Sequence, residues 1–505
     1  MTAKEYLLGV DIGTLGSKGV IINSEGKTVA QHFVEHGINI PRPGWAEQDP
    51  ESYWNDFTII VKALLSESGI KPSRIAGIGI SGLVPDVIPI DLDGKPLRDC
   101  IIYMDRRAVE EAEGVRREIG EEKIHRISGN AVDPYFAGYK SLWMMHHEPE
   151  IYKKTWKILD GSKYVVFKLT GEVVLDHSTG PLFAPFFSLT DRCWHKGILS
   201  SLNFDADKLP TICSPRDIVG EVTAKASNLT GLAEGTPVIA GGPDYQFSAL
   251  SVGLTAPGDG MIMYGTTGLL ALVIDKPLHE PRLVNSIYLT PNTYMSFGGM
   301  ATTGALVRWF RDQFGIIEKN VEGLTDLSAY YLLDREAEKV PPGSEGVIVL
   351  PYFMGERTPI WDPKARGLIF GLTLYHTRGH IFRAILESAG YALRQHIDIV
   401  KELEIEIKRM VAVNGGAKSR LWRQIVSDIT RLPQQYVSEA PGAPYGDAFL
   451  AGVAVGIFRH TDQIREYVKI DEETKPNKEN SKIYEKLYQI YLTLYPSLQE
   501  QMHSL

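Results

Sequence analysis

Short alternating runs of apolar and polar residues open the chain, and helical spacing follows. Tyr6 to Asp11 reads as a strand, Gly13 to Ser17 as a turn and Lys18 to Ile22 as a second strand. Ser24-Glu25-Gly26-Lys27 turns the chain into a third strand, Thr28 to Val34. A Pro- and Gly-rich loop covers Pro41 to Pro50, and Ser52 to Ser66 carries Trp54, Phe57, Val61 and Leu65 on one helical side. Ile75 to Ser81 has the unbroken apolar run of a buried strand. Asp86 to Asp91 reads as another, ending in the hairpin turn Asp91-Leu92-Asp93-Gly94.

Near residue 259 the opening pattern returns. Gly260 to Tyr264 is a strand, Gly265-Thr266-Thr267-Gly268 a turn and Leu269 to Ile274 a strand. This internal repeat predicts one copy at the start of each of two domains, 1–250 and 251–505. Ile381, Ile385, Ala389, Leu393 and Ile397 recur every four residues, which makes a long core-facing helix. Arg409 to Val413 is a strand, a helix runs from about Lys418 to Thr430, and Tyr484, Leu487, Tyr491 and Leu494 mark a terminal helix. Alternating strands and helices mean an α/β fold with mixed sheets.

A length of 505 residues exceeds what one hydrophobic core serves, which agrees with two domains. A net charge of −9 argues against a nucleic-acid partner. It leaves room for bound phosphate, which backbone N–H groups hold locally. Cys100, Cys193 and Cys213 lie far apart, so a reducing, cytoplasmic setting is expected. Met1 to Leu8 carries Lys4 and Glu5 and lacks the apolar stretch of a signal peptide; no apolar run is long enough to span a bilayer.

The chemistry sits in the turns. Asp11-Ile12-Gly13-Thr14-Leu15-Gly16-Ser17-Lys18 ends a strand on a carboxylate and then exposes backbone N–H groups, a hydroxyl and a lysine. Those donors suit a phosphate, and Asp11 suits Mg²⁺, a cation that prefers oxygen. A plain acidic hairpin is the alternative; a Walker A loop is absent. Gly265-Thr266-Thr267-Gly268 offers two hydroxyls that could clamp the other side of a triphosphate. Gly241-Gly242-Pro243-Asp244 follows an apolar strand, where α/β sheets place their sites. Asp244 there could accept a hydroxyl proton or cap a helix. Asn414-Gly415-Gly416-Ala417-Lys418-Ser419 enters a helix through glycines on which a flat base can lie. His376 and His380 lack a third metal ligand nearby, and His146-His147 reads as a polar helix end.

Together these segments resemble the FGGY family of carbohydrate kinases, in its xylulokinase-like branch. Gly367 to Leu372 followed by His380 to Glu387 fits the family's C-terminal signature. Pro351 to Pro359 and Pro43-Gly44-Trp45-Ala46-Glu47-Gln48-Asp49-Pro50 are further hallmarks. The resemblance implies two ribonuclease-H-like (actin-like ATPase) domains with a central cleft, the N-terminal one for sugar and the C-terminal one for ATP. It implies Asp244 as catalytic base and Asp11 beside Mg²⁺. For ATP it implies Gly13, Thr14 and Lys18; Gly265, Thr266 and Thr267; and Gly415, Gly416, Ala417, Ser419 and Gln424. For the sugar it implies Tyr103 and Asp105, with Val84, Asp86 and Gln246 as neighbours.

The chain departs from xylulokinases at Val84-Pro85, where a Met-His pair is usual, and at Tyr245-Gln246, where Asn-Ala is common. A ketopentose such as xylulose is the expected acceptor. Ribulose, gluconate, glycerol or another polyol, or a non-catalytic nucleotide-binding regulator, stand as alternatives. No nucleic-acid or membrane partner is expected, and a homodimer is allowed for.

Overall fold

The computed structural model describes residues 5–505, so the N-terminal start as far as Lys4 lies outside the described residues. The chain forms two compact units. One holds the residues up to Ala256 with Asp275–Met295 and Pro441–Val468; the other holds Pro257–Ile274, Ser296–Ala440 and Lys469–Leu505. The units therefore do not follow one division of the chain at residue 250.

In the first unit the central sheet runs Ile218–Glu221, Pro237–Ile239, Ile75–Gly82, Tyr6–Ile12, Gly16–Asn23, Thr28–Glu35. Tyr6–Ile12 lies parallel to Ile75–Gly82 and antiparallel to Gly16–Asn23. Every residue of Ile75–Gly82 is buried, as a central parallel strand requires. The helix Pro50–Ser68 starts on Asp49, whose side chain accepts the Glu51 N–H, and stops at Gly69 in the left-handed region. Its Tyr53, Phe57, Ile60 and Leu64 join Val10, Ile12 and Ile80 in one buried cluster.

The helix Ala443–Ala454 packs on the strands Tyr6–Ile12 and Ile75–Gly82, which brings Pro441–Val468 back to the first unit. Glycine permits this approach. A Cβ on Gly9 would lie 1.8 Å from the Pro444 carbonyl oxygen and 2.6 Å from the Ala448 nitrogen.

The strand expected over 86–91 is shorter. Ile88–Ile90 pairs antiparallel with Lys157–Leu159. The turn at Asp91 does form, with Gly94 N donating to Asp91 O at 2.9 Å, but the returning chain makes one bridge, Ile90 to Pro96. Proline has no N–H with which to continue a ladder.

The second unit repeats the plan. Asp259–Tyr264 is antiparallel to Gly268–Ile274 and parallel to Arg409–Val413. The long helix Arg378–Glu402 buries Phe382, Ile385, Leu386, Ala389, Leu393 and Ile397. The helix Lys478–His503 lays Tyr484, Tyr488 and Tyr491 around Tyr391, with ring centroids 5.3–6.2 Å apart.

Gly9→Val should cost about 2–3 kcal/mol or more, because it forces the helix Ala443–Ala454 off the sheet. Gly37→Ala, where a Cβ meets nothing within 4 Å, should stay within about 0.5 kcal/mol of the wild type. Urea unfolding of both variants checks this.

Candidate functional site

Three parallel strands end together in the first unit. Asp11 is in register with Ser81, and Ser81 with Gly242. Asp244 follows two residues on, as the first residue of the helix Asp244–Ser251. The cap residue of that helix is Pro243, so Asp244 is not the N-cap. Gly241 is required at this turn: its φ is 69°, and a Cβ would lie 1.7 Å from the Ile80 carbonyl oxygen.

Asp244 makes one hydrogen bond, accepting the Tyr245 N–H at 2.6 Å. Burial, and then the charge of Asp11, push its carboxyl up to about 8. Burial raises Asp11 to about 6, against the Ser81 hydroxyl and the nearby Lys18 ammonium. The Ser81 hydroxyl lies 3.2 Å from Asp11 Oδ1 and 2.7 Å from Asp447 Oδ2.

Asp447 was not among the residues singled out from sequence. Its Oδ1 is buried without a hydrogen-bond partner among the described residues, and burial holds its carboxyl well above the usual carboxylate range. One signal was available: it is a lone carboxylate in an otherwise apolar helix, Ala443–Ala454.

These residues fit a divalent cation. No ion pair neutralises Asp11, Asp244 or Asp447 among the described residues. No group of three or more His, Cys, Asp or Glu is arranged there to hold a metal alone. A cation at Asp11 would therefore draw most of its oxygens from phosphate and water, which is how Mg²⁺ is usually held beside a nucleotide.

The residues expected around the sugar differ in how free they are. Tyr103 is partly exposed, and Val84 is buried. The carbonyl after Val84, Pro85 O, accepts the buried Lys140 ammonium at 2.8 Å, and burial lowers Lys140 to about 7. Asp86 accepts the Gly161 N–H at 3.0 Å, and its other oxygen has no partner. Both oxygens of Asp105 are filled by Ala46 N and by Arg107 N, Nε and Nη2, at 2.6–2.9 Å. Arg107 in turn lies 3.7 Å from the Trp45 ring centre, so Asp105 anchors the Trp45 loop. Gln246 donates to Ser286 Oγ and Ile287 O at 2.9 Å from full burial.

In the second unit, Asp259–Tyr264 and Arg409–Val413 are paired through Met263 and Val413, which sets Gly265 beside Asn414. Thr266 and Thr267 are exposed. Gly265 O accepts Gly304 N at 2.9 Å and Thr266 O accepts Thr303 N at 3.1 Å, tying the turn to the start of the helix Gly304–Phe314. Gly415–Lys418 is a short 3₁₀ turn, and Ser419 caps the helix Arg420–Thr430 by accepting Trp422 N at 3.0 Å. The glycine pair is unequal. A Cβ on Gly415 meets open space, whereas one on Gly416 would lie 2.6 Å from Trp422 and 3.0 Å from Tyr264. Ala417 is buried, and Gln424 donates to Asp428 and Lys475 O at 2.7 and 2.9 Å.

Comparison with known proteins joins these features. The N-terminal domain model of the FGGY family of carbohydrate kinases matches residues 6–251, and its C-terminal domain model matches residues 260–455. The xylulose kinase of Staphylococcus xylosus is 29% identical over 97% of this chain and 99% of its own. The gluconokinase of Bacillus subtilis (strain 168) is 28% identical over 98% of this chain and 96% of its own. The crystal structure of xylulose kinase from Rhodospirillum rubrum has a TM-score of 0.91 and 30% identity, covering 99% of this chain and 100% of that one. The two mixed α/β units are those of the actin-like ATPase fold. With models for both halves matched over most of its length, the chain belongs to the FGGY family of carbohydrate kinases, enzymes that phosphorylate a sugar with ATP.

Proposed function

We propose that the acceptor is a ketopentose such as xylulose, and that Asp244 is the base that takes the proton from its hydroxyl. The carrying observation is the state of Asp244: a half-buried carboxyl at a strand end, raised to about 8, with one side-chain hydrogen bond and no basic partner among the described residues. Such a group is poised to accept a proton near neutral pH. Several relatives named as xylulose kinases support the choice of sugar. Gluconate is the second reading, favoured by the gluconokinases of nearly equal identity.

In this reading Asp11 and the Gly13–Lys18 turn are the phosphate-binding segment of the first unit, and Thr266 and Thr267 that of the second. Gly415 lies against the adenosine. Bound with the nucleotide beside Asp11, Mg²⁺ would supply neutralising charge for the phosphates. Asp105 acts by holding Arg107 and the Trp45 loop, next to Tyr103. Lys140 fixes the Val84-Pro85 loop through the Pro85 carbonyl, which leaves apolar and backbone groups, rather than a Met-His pair, to meet the sugar. Cys100, Cys193 and Cys213 are free thiols, which suits a cytoplasmic enzyme.

Asp244→Asn should lower sugar-dependent ADP release about 10²–10⁴-fold on the best substrate of a panel of pentuloses, hexuloses, aldonates and polyols. Wild-type turnover in that variant would refute the assignment.

The pH dependence has a defined sign. An unfolded aspartate titrates at about 3.9, and folded Asp244 at about 8. Between these values the folded state keeps a proton that the unfolded state has lost, so stability falls as pH rises through that window. Asp244→Asn should therefore gain in Tm over the wild type as pH rises from about 5 to about 8, while wild-type kcat/KM for sugar rises over the upper part of the same range. Calorimetry and pH–rate profiles check both.

Gly415→Val should raise KM for ATP more than KM for sugar. Gly416→Val should instead cost about 1–3 kcal/mol of stability, by forcing Trp422 and Tyr264 apart.

A further inference from the structure

The hallmark segment Pro43–Pro50 carries the Trp45 loop, and another of its side chains, Gln48, reaches the Asp11–Lys18 turn. Four successive carbonyl groups of that turn are taken, the last three by His36 and Gln48. Ile12 O accepts Leu83 N at 2.9 Å and Gly13 O accepts His36 Nε2 at 3.0 Å. Thr14 O accepts Gln48 Nε2 at 2.8 Å and Leu15 O accepts His36 N at 3.1 Å. In a trans peptide the carbonyl of one residue and the N–H of the next point in opposite directions. Holding the carbonyls of Gly13 and Thr14 therefore turns the N–H groups of Thr14 and Leu15 the other way. Among the described residues, no acceptor takes either of these two N–H groups, whereas Gly13 N–H faces Gly16 O across the hairpin. Unpaired backbone donors in a row form a concavity for an anion.

The two side chains that do the holding are themselves fixed. Gln48 donates its second amide hydrogen to Gly37 O at 3.0 Å and accepts the Tyr53 hydroxyl at 2.8 Å. His36 Nδ1 is 2.6 Å from Asp56 Oδ2, which also accepts the Ser17 hydroxyl at 2.8 Å. Both ring nitrogens of His36 thus face acceptors. Glu47, next to Gln48, is paired with Arg107 at 2.7 Å, and Asp49 caps the helix Pro50–Ser68.

We propose that Gln48 and His36 are positioning residues for phosphate: they hold the 13–14 and 14–15 peptides so that the N–H groups of Thr14 and Leu15 face the terminal phosphates of a nucleoside triphosphate. This rests on reading the Asp11–Lys18 turn as a phosphate site. Gln48→Glu keeps the shape but sets a carboxylate against two carbonyls, Thr14 O and Gly37 O. His36→Leu removes the hold on Gly13 O, and His36→Gln keeps one amide donor for it.

The test measures ATP and AMP affinity by titration calorimetry, with the Tm of each variant, and KM and kcat for ATP. Gln48→Glu and His36→Leu should weaken ATP binding about tenfold and AMP binding far less. His36→Gln should recover part of the loss. Equal weakening of ATP and AMP, or a lowered Tm with unchanged affinities, would make the contacts merely structural and overturn the proposal. Leu15→Pro, which deletes one of the unpaired N–H groups directly, separates the two levels. If Leu15→Pro weakens ATP binding and neither Gln48→Glu nor His36→Leu does, the positioning role fails and the phosphate site stands. If none of the three weakens it, the phosphate site fails with it.

Discussion

Three carboxyl groups, Asp11, Asp244 and Asp447, crowd the ends of adjoining parallel strands, Asp447 buried and the other two half-buried, without a basic side chain bonded to any of them among the described residues. Burying carboxylates in that way is costly, and the protein meets the cost by raising their affinity for protons. Much of the first unit follows from this constraint. Gly241 must lie on the Ile80 backbone to bring Asp244 to the strand end, and Gly9 must admit the helix that carries Asp447. Ser81 has one hydroxyl hydrogen between two carboxyl groups, so it can donate to only one of them at a time. A counter-charge arriving with the phosphates would allow the protons to leave.

Local pattern and turn chemistry made most of this fold legible. The strand–turn–strand units at Asp11 and Gly265 were visible because their periodicity and glycines act over a few residues. Their equivalence is real: each hairpin has the same parallel neighbour. The long helix Arg378–Glu402 was legible for the same reason, since its apolar spacing is sustained. The return of Ala443–Ala454 to the first sheet was not, because nothing within that segment specifies which sheet it packs on. Asp447 was lost with it.

Partners set by tertiary structure were equally hidden. Asp105 and Gln246 read as polar residues near motifs, and their hydrogen bonds to Ala46 N and Ser286 depend on segments 59 and 40 residues away. Gln48 read as one letter of a hallmark, while its targets are carbonyls 34 and 11 residues away. Gly415 and Gly416 are indistinguishable as letters; the direction of each Cα–H bond in the 3₁₀ turn decides which faces Trp422 and which faces open space.

Hydrogen-bond occupancy sorts the buried aspartates by what they can do. Asp105 has both oxygens filled, with the Arg107 guanidinium against them. Asp176 accepts Ser178 N, Thr179 N and the Thr179 hydroxyl, and pairs with Lys163 at 3.0 Å. Groups so engaged have little left to offer a ligand, and removing them would leave buried donors unmet. Asp244, just past the central sheet, accepts with its side chain only the N–H of its own neighbour among the described residues. An oxygen left open next to another carboxyl is a poor way to stabilise a fold, and desolvation, then the charge of Asp11, raise Asp244 to about 8. That stability cost is what a structural carboxylate avoids and what a base near neutral pH requires. Asp105 and Asp244 thus differ by a criterion independent of motif, the occupancy of their oxygens, and the proposed base is the one left open.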